Sequence, residues 1–109
     1  MRITLDDGGL FAFAGLWERW TEPESGLSLQ SCTIITTAPN ALMETIHNRM
    51  PVIIPPDSYA TWLDYKTTDT AKVVPLIVSY PAEKMRAYPV SRMVNSPAID
   101  SPDLIASIL

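Results

Sequence analysis

The longest uninterrupted apolar stretch of this 109-residue chain includes Phe11 to Trp17 and extends only a few residues further towards the amino terminus. A membrane-spanning helix needs about 20 apolar residues, so the sequence predicts no transmembrane segment. The first residues include Asp6 and Asp7 and lack a basic region followed by an apolar core, so no secretory signal is predicted and a cytoplasmic location is expected. A chain of this length forms one domain at most, with a modest core, over residues 1–109.

The charge balance argues against strong nucleic-acid binding by this chain alone. Its formal net charge is −4 at pH 7, and phosphate affinity comes chiefly from clustered lysine and arginine. The basic residues are scattered, with one local concentration at Lys84, Arg86 and Arg92. Any nucleic-acid surface should therefore be small or shared with sequence outside this chain.

Cysteine and histidine are scarce. Cys32 is the only cysteine and His47 the only histidine. No internal disulfide can form, and too few soft ligands remain for a zinc site. We therefore expect neither a metal nor another cofactor.

Residues near the amino terminus predict a β-hairpin. Arg2 to Leu5 resembles a short strand, Asp6 to Gly9 supplies glycines that tolerate positive φ, and Leu10 to Trp17 provides the returning strand. The polar segment from Thr21 to Gln30 contains proline and glycine, which predicts a surface loop.

The segment from Ser31 to Thr37 has β-branched residues on both of its alternating faces. This is the pattern of a strand that is covered on two sides and central in a sheet. Two further strands are predicted at Val52 to Ile54 and at Met85 to Ser91.

Helical signatures lie between these strands. A short helix is predicted from Thr37 to His47, with Thr37 as its capping residue, and a second from Pro55 to Asp64. The buried face of the second helix should consist of residues with i, i+3, i+4 spacing: Tyr59, Trp62 and Leu63. Thr68 to Val78 is a weaker candidate for a third helix, because Pro75 would remove a hydrogen bond from its middle.

The carboxy-terminal residues from Asn95 onward predict an irregular tail with a short turn at Asp103 to Ile105. Taken together, the segments predict an α+β fold. Its sheet should be mixed, mostly antiparallel or a partial barrel, with two or three short helices.

Thr36, His47 and Arg49 form a candidate binding constellation around the first predicted helix. A histidine and an arginine that emerge together from a helix terminus can present a proton shuttle and an anion clamp to one ligand. The structural alternative is that His47 interacts with the helix dipole as a cation, while Arg49 pairs with a surface carboxylate.

Two other residues have competing interpretations. Cys32 could act as a nucleophile with His47 as its base, but a cysteine inside a strand buried on both sides is more often a small inert core residue. Glu18 could be a general acid. The alternative is that it closes an ion pair at the end of a strand while Trp17 and Trp20 pack.

Five blocks of residues follow one another along nearly the whole chain. They are Phe11–Trp20, Cys32–Thr37, Ile46–Pro51, Trp62–Asp64, and Tyr88–Ser91 with Val94 and Asn95. These blocks and their order resemble the SOS response-associated peptidase (SRAP) domain, the abasic-site-processing family. No single block is specific, but the combination is. We therefore expect residues 1–109 to be the carboxy-terminal part of a single SRAP domain.

The resemblance implies a covalent crosslink to abasic sites in single-stranded DNA during the SOS response to DNA damage. His47 matches the family's catalytic histidine, Thr36 and Arg49 match positions that line the same pocket, and Ser91 belongs to a block near it. The family's nucleophile is a cysteine directly after the initiator methionine, which also drives removal of that methionine. In this chain residue 2 is Arg2, so the half with the nucleophile is expected upstream.

Two function hypotheses remain open at this stage. The first is part of an abasic-site-processing enzyme, a peptidase with hydrolase or lyase character, which is inactive without its cysteine half. The second is a non-catalytic module that acts by pairing with another chain. The expected partners are abasic single-stranded DNA, bound weakly by this chain alone, and a second copy through uncovered strands, with no membrane. The sequence that precedes Met1 would separate the two hypotheses.

Overall fold

Every strand pairing in the structure is antiparallel. The computed structural model describes residues 1–109. Its strands are β1 (Arg2–Leu5), β2 (Ala12–Phe13), β3 (Gly15–Thr21), β4 (Ser28–Ile34), β5 (Thr36–Thr37), β6 (Met50–Pro51), β7 (Ile53–Ile54) and β8 (Met85–Tyr88). They form four two-stranded sheets: β1–β8, β2–β7, β3–β4 and β5–β6. With the short helices between them, these sheets confirm the predicted α+β class.

The chain divides into two compact units. Unit 1 consists of residues 1–10 and 81–109, and unit 2 of residues 11–80. Unit 1 contains the β1–β8 sheet, in which Arg2 pairs with Tyr88 and Leu5 with Met85. The Arg2 guanidinium donates to the Tyr88 hydroxyl at 2.7 Å, and that hydroxyl donates to the Ile105 carbonyl at 2.7 Å. These bonds join both ends of the chain within unit 1.

The predicted amino-terminal hairpin is wrong in its pairing. β1 and the turn after it are present, and Gly8 has the positive φ of 72° that the turn requires. β1 nevertheless pairs with β8, more than 75 residues later, while β2 pairs with β7. The turn reverses the direction of the chain, but the pairing is decided by which strand forms backbone hydrogen bonds with β1 while its apolar side chains face the core.

Three residues form a junction at the centre of unit 2. Ala14 lies between β2 and β3, Ile35 between β4 and β5, and Val52 between β6 and β7. The Ala14 N–H donates to Val52 O at 2.8 Å, Val52 N–H to Ile35 O at 2.9 Å, and Ile35 N–H to Ala14 O at 2.9 Å. Each residue donates once and accepts once, so three extended segments exchange partners here without losing a backbone hydrogen bond.

The core of unit 2 surrounds this junction. Ala14, Val52 and Ile54 are fully or almost fully buried. Partly buried apolar side chains pack against them: Ile35, Tyr59, Trp62, Leu76 and Ile77. Trp62 is also fixed by its indole N–H, which donates to the Gly15 carbonyl at 3.2 Å. The prediction of a single strand at Val52 to Ile54 is therefore wrong in detail, because Val52 separates two strands.

The long hairpin β3–β4 is the largest departure from the sequence expectations. Its seven residue pairs run from Gly15 opposite Ile34 to Thr21 opposite Ser28. The expected loop at Thr21 to Gln30 is thus shortened to residues 22–27, where Gly26 has a φ of 71°. Every residue of β4 is exposed, so the expectation that Ser31 to Thr37 is buried on both sides is wrong. The pattern correctly identified a strand, but not its burial.

The helices are short. The first predicted helix is reduced to a 3-10 turn at Met43–Thr45, and the second consists of a 3-10 turn at Pro56–Ser58 followed by α1 (Tyr59–Trp62). Leu63, expected on its buried face, is exposed. The weak third helix appears as two 3-10 turns, Thr70–Lys72 and Val74–Leu76. None of these helices has the length and apolar character needed to cross a membrane.

The carboxy-terminal segment follows the sequence expectation more closely. The last predicted strand ends at Tyr88, while Val90 forms an isolated bridge with Ser107. A 3-10 turn at Pro102–Ile105 lies where the tail was expected to turn.

Candidate functional site

His47 lies just after the 3-10 turn Met43–Thr45. Asn40 fixes the start of this turn, because its side-chain oxygen accepts from the Met43 N–H at 2.9 Å and its amide donates to the Tyr80 carbonyl at 2.6 Å. The His47 N–H donates to Met43 O at 2.8 Å and so closes the last turn. Leu42 occupies the N-cap position of the turn and makes no side-chain cap bond, so Asn40, rather than the predicted Thr37, supplies the side-chain hydrogen bond at the start of this segment.

Arg49 is held against Thr36. The register of β5 with β6 places Thr36 opposite Pro51, and side chains two residues apart share a face of a strand. Arg49 Nη2 donates to Thr36 O at 2.7 Å and to Thr36 Oγ1 at 3.1 Å, while Arg49 Nε lies 3.3 Å from Thr36 Oγ1. The guanidinium is thus fixed by neutral oxygens, and the expected surface carboxylate is not its partner.

The His47 ring is joined to the backbone of Arg49. His47 Nδ1 lies 3.1 Å from Arg49 N and 3.2 Å from Arg49 O. A neutral ring protonated at Nε2 accepts from the Arg49 N–H, whereas a ring that carries a proton on Nδ1 donates to the Arg49 carbonyl. In both cases Nε2 points away from this backbone contact and is available to a ligand.

The structure thus brings three of the four predicted site residues together. Thr36, His47 and Arg49 are all exposed and are linked by hydrogen bonds. Their chemistry combines a proton carrier with a fixed cation, which suits an anionic ligand that undergoes proton transfer. Ser91 lies in unit 1, where its hydroxyl accepts from the Met93 N–H at 3.2 Å and caps the turn Arg92–Asn95.

The two alternative candidates lie on the β3–β4 hairpin. Cys32 is exposed and stands opposite Trp17, so its expected burial in a core strand is wrong. Glu18 is exposed opposite Ser31. Trp17 and Trp20 are exposed as well, which contradicts the expectation that they pack. No group of three or more His, Cys, Asp and Glu side chains is arranged to hold a metal ion.

Sequence reasoning missed Asn40. Asparagine side chains often accept hydrogen bonds from the backbone of a following turn, whereas Thr37 and Pro39 favoured a helix that begins earlier. Asn40 matters to the site because it sets where the chain turns before His47.

A comparison with protein families matches residues 1–97 to SRAP, "SOS response associated peptidase (SRAP)". The chain belongs to the SRAP family. It is 53% identical over 107 residues to the abasic site processing protein YoqW of Bacillus subtilis (strain 168), covering 98% of this chain and 47% of YoqW. It is also 36% identical over 101 residues to the abasic site processing protein HMCES of Xenopus tropicalis, covering 92% of this chain and 30% of that protein.

A solved structure has the same fold. A protein from Bacteroides thetaiotaomicron aligns with a TM-score of 0.80 at 28% identity, over 98% of this chain and 47% of that chain. This SRAP chain therefore spans about half the length of its bacterial relatives and less than a third of the Xenopus tropicalis protein.

Proposed function

We propose that this chain takes part in the processing of abasic sites in single-stranded DNA, with His47 as the proton carrier. The observation that carries the proposal is the exposed cluster of His47, Arg49 and Thr36, in which Thr36 already holds the guanidinium of Arg49 in place. Membership of the SRAP family and the names of the relatives, abasic site processing proteins, support this choice of substrate.

The proposed role of His47 follows from its contact at Nδ1. The opened sugar of an abasic site presents an aldehyde, and a nucleophile that adds to it leaves negative charge on the carbonyl oxygen. An imidazolium that donates Nδ1–H to Arg49 O can deliver its Nε2 proton to that oxygen as the new bond forms. The neutral ring keeps its bond to Arg49 O, and Nε2 can accept the proton again when the carbonyl re-forms.

We assign substrate positioning to Arg49, Thr36 and Ser91. Two of the three guanidinium nitrogens of Arg49 contact Thr36, which leaves Nη1 to bind a phosphate oxygen. Thr36 orients this cation through its hydroxyl and its carbonyl. Ser91 is half-buried, and its hydroxyl caps a turn in unit 1. Its assignment to the same task therefore depends on its block in the SRAP resemblance.

We infer that the nucleophile is not among these 109 residues. The family resemblance places it directly after the initiator methionine, where this chain has Arg2. Cys32 is the only cysteine, and it lies in the middle of β4 without an adjacent amino terminus. Peptidase or lyase activity, and covalent linkage to DNA, are therefore proposed for an SRAP protein that contains this segment together with a second-position cysteine.

A chimera tests the role of His47. The segment of YoqW that matches this chain is replaced by this chain, and the rate of covalent bond formation with an abasic single-stranded oligonucleotide is measured on denaturing gels. We expect His47→Ala to slow the reaction about 10²- to 10⁴-fold, as is typical for loss of a general acid or base.

The matched control is Asn48→Ala, at an exposed neighbour of His47. Its rate should equal that of the unmodified chimera. Equal rates for all three proteins would leave His47 with a structural role only. A DNA-dependent band from the isolated chain, lost in Cys32→Ser, would instead identify Cys32 as the nucleophile.

Pairing with another chain is a second candidate function, and a specific observation favours it. Both strands of the β3–β4 hairpin are exposed along their whole length. Monomeric proteins rarely leave a strand pair apolar and open on two faces. Without a partner, self-association through these strands is the expected outcome.

A further inference from the structure

The β1–β8 sheet of unit 1 has one apolar face and one polar face, because side chains alternate along a strand and directly opposite residues share a face. The apolar face consists of side chains that are buried or half-buried: Ile3, Leu5, Met85 and Ala87. The polar face consists of Arg2, Thr4, Arg86 and Tyr88. This polar face therefore carries two arginines and no carboxylate, in a chain with 12 acidic and 8 basic residues.

Neither arginine of the polar face is neutralised by an ion pair. Arg86 is exposed, and its guanidinium forms no hydrogen bond or ion pair within the chain. Arg2 is half-buried, and its Nη1 donates to a neutral oxygen, the Tyr88 hydroxyl, at 2.7 Å. Nε and Nη2 of Arg2 remain to donate to a ligand. At the end of the ladder the Asp6 N–H donates to Lys84 O at 2.9 Å, and the charges of these two side chains offset each other.

The spacing of the polar groups suits a chain of phosphates. Arg86 lies directly opposite Thr4, and opposite side chains have Cβ atoms about 4.5–5.5 Å apart. A guanidinium and a hydroxyl at that separation can both donate to one phosphate group. Arg2 is the diagonal neighbour of Arg86, at about 7–8 Å across the ladder. This distance is close to that between successive phosphates of an extended DNA strand.

We propose that the polar face of the β1–β8 sheet binds the phosphate backbone of single-stranded DNA, at nucleotides that carry no lesion. The choice of DNA rests on the proposed function of this chain. The proposal gives a role to Arg86, the middle residue of the basic cluster in the sequence. Phosphate contacts of this kind position a strand without reading its bases. Two cations make a small contact, in keeping with the weak binding expected at a net charge of −4.

Binding of an undamaged single-stranded oligonucleotide to the 109-residue chain tests the proposal. Fluorescence anisotropy of the labelled DNA gives the affinity at salt concentrations from about 50 to 200 mM. Each phosphate contact that is lost lowers the slope of log affinity against log salt by about 0.7 on a single strand. Arg86→Ala should therefore flatten the slope by that amount and weaken binding about five- to tenfold at about 50 mM salt.

Two further variants separate a specific contact from general attraction. Thr4→Val keeps the charge and the β-branched shape but removes the hydroxyl. It should weaken binding about two- to tenfold, the effect of one hydrogen bond, and leave the salt slope unchanged. Lys66→Ala is the matched control, because it removes the same charge at an exposed position of unit 2. Its affinity and salt slope should stay close to those of the unmodified chain.

Three results would overturn the proposal. One is the absence of DNA binding at about 50 mM salt. Another is an equal loss of affinity in Arg86→Ala and Lys66→Ala, which would assign the attraction to net charge alone. The third is equally tight binding of a poly-glutamate peptide, which offers carboxylates in place of phosphates. Because the oligonucleotide has no abasic site, none of these results bears on proton transfer by His47, so the two proposals fail independently.

Discussion

Arg49 shows how a single exposed side chain becomes part of a site. An unrestrained arginine loses about 1.5–2 kcal/mol of rotamer freedom when it is fixed in one conformation. Its three contacts with Thr36 fix the guanidinium before any ligand arrives. A ligand that binds the cluster is therefore spared part of this entropic cost, and the backbone of Arg49 at the same time orients His47.

Asp64 is a second residue whose local bonds have a measurable consequence. The Thr67 hydroxyl donates to Asp64 Oδ2 at 2.7 Å and the Lys66 N–H to Oδ1 at 3.0 Å, and these bonds lower the pKa of Asp64. A carboxyl whose pKa is lower in the folded than in the unfolded state stabilises the fold above its unfolded pKa. That stability is lost as the pH falls through the folded pKa.

We predict that Asp64→Asn lowers the melting temperature at neutral pH, and that the difference from the unmodified chain shrinks as the pH falls through the lowered pKa of Asp64, where the carboxyl loses its charge. Circular dichroism melts at a series of pH values measure this. Asp57→Asn, at another exposed carboxylate, serves as the matched control. A pH-independent difference between Asp64→Asn and the unmodified chain would contradict the prediction.

At the level of elements, the junction of Ala14, Ile35 and Val52 connects the long hairpin β3–β4 with two strand pairs that are too short to be stable separately. β2–β7 and β5–β6 each consist of two residue pairs, and isolated two-stranded ribbons are marginally stable at best. The closed ring of hydrogen bonds at the junction fixes all three segments together. It also places β5 beside β6 and so sets the distance from Thr36 to Arg49.

We predict that Ala14→Leu destabilises unit 2 by about 1–3 kcal/mol, because Ala14 is 0% exposed and extra methylene groups overpack a filled core. Urea unfolding measures the change. Ala60→Leu introduces the same side chain at an exposed position of α1 and should have little effect. Equal midpoints for the two variants would show that the junction tolerates added volume.

At the scale of the whole molecule, the exposed hairpin dominates the expected solution behaviour. We predict that the isolated chain associates with itself in a concentration-dependent manner, because exposed apolar strands pair with one another when nothing covers them. Sedimentation should show species heavier than the 12.1 kDa monomer. A monodisperse monomer with a cooperative melt at high concentration would contradict this prediction.

The sequence by itself determined the local features of this protein. Neighbouring residues predicted the positions of four local features: β1, the turn after it, the ends of the turns near His47 and Asp64, and the tail turn at Pro102–Ile105. Turn geometry, glycine conformation and proline are properties of a few consecutive residues, so they can be identified from sequence. The order of the family blocks likewise identified the SRAP family and predicted that His47, Thr36 and Arg49 lie close together, as they do in the structure.

Only the tertiary structure decided which strands pair and which residues are buried. β1 pairs with β8 rather than with its neighbour, and β4 is exposed although its sequence suits a buried strand. Apolar periodicity reports that a face suits burial, but burial itself depends on a partner that is distant in sequence or outside these residues. Two contacts near His47 likewise join segments that are separate in the chain. The Asn40 amide donates to the carbonyl of Tyr80, 40 residues later, and Arg49 contacts Thr36, 13 residues earlier.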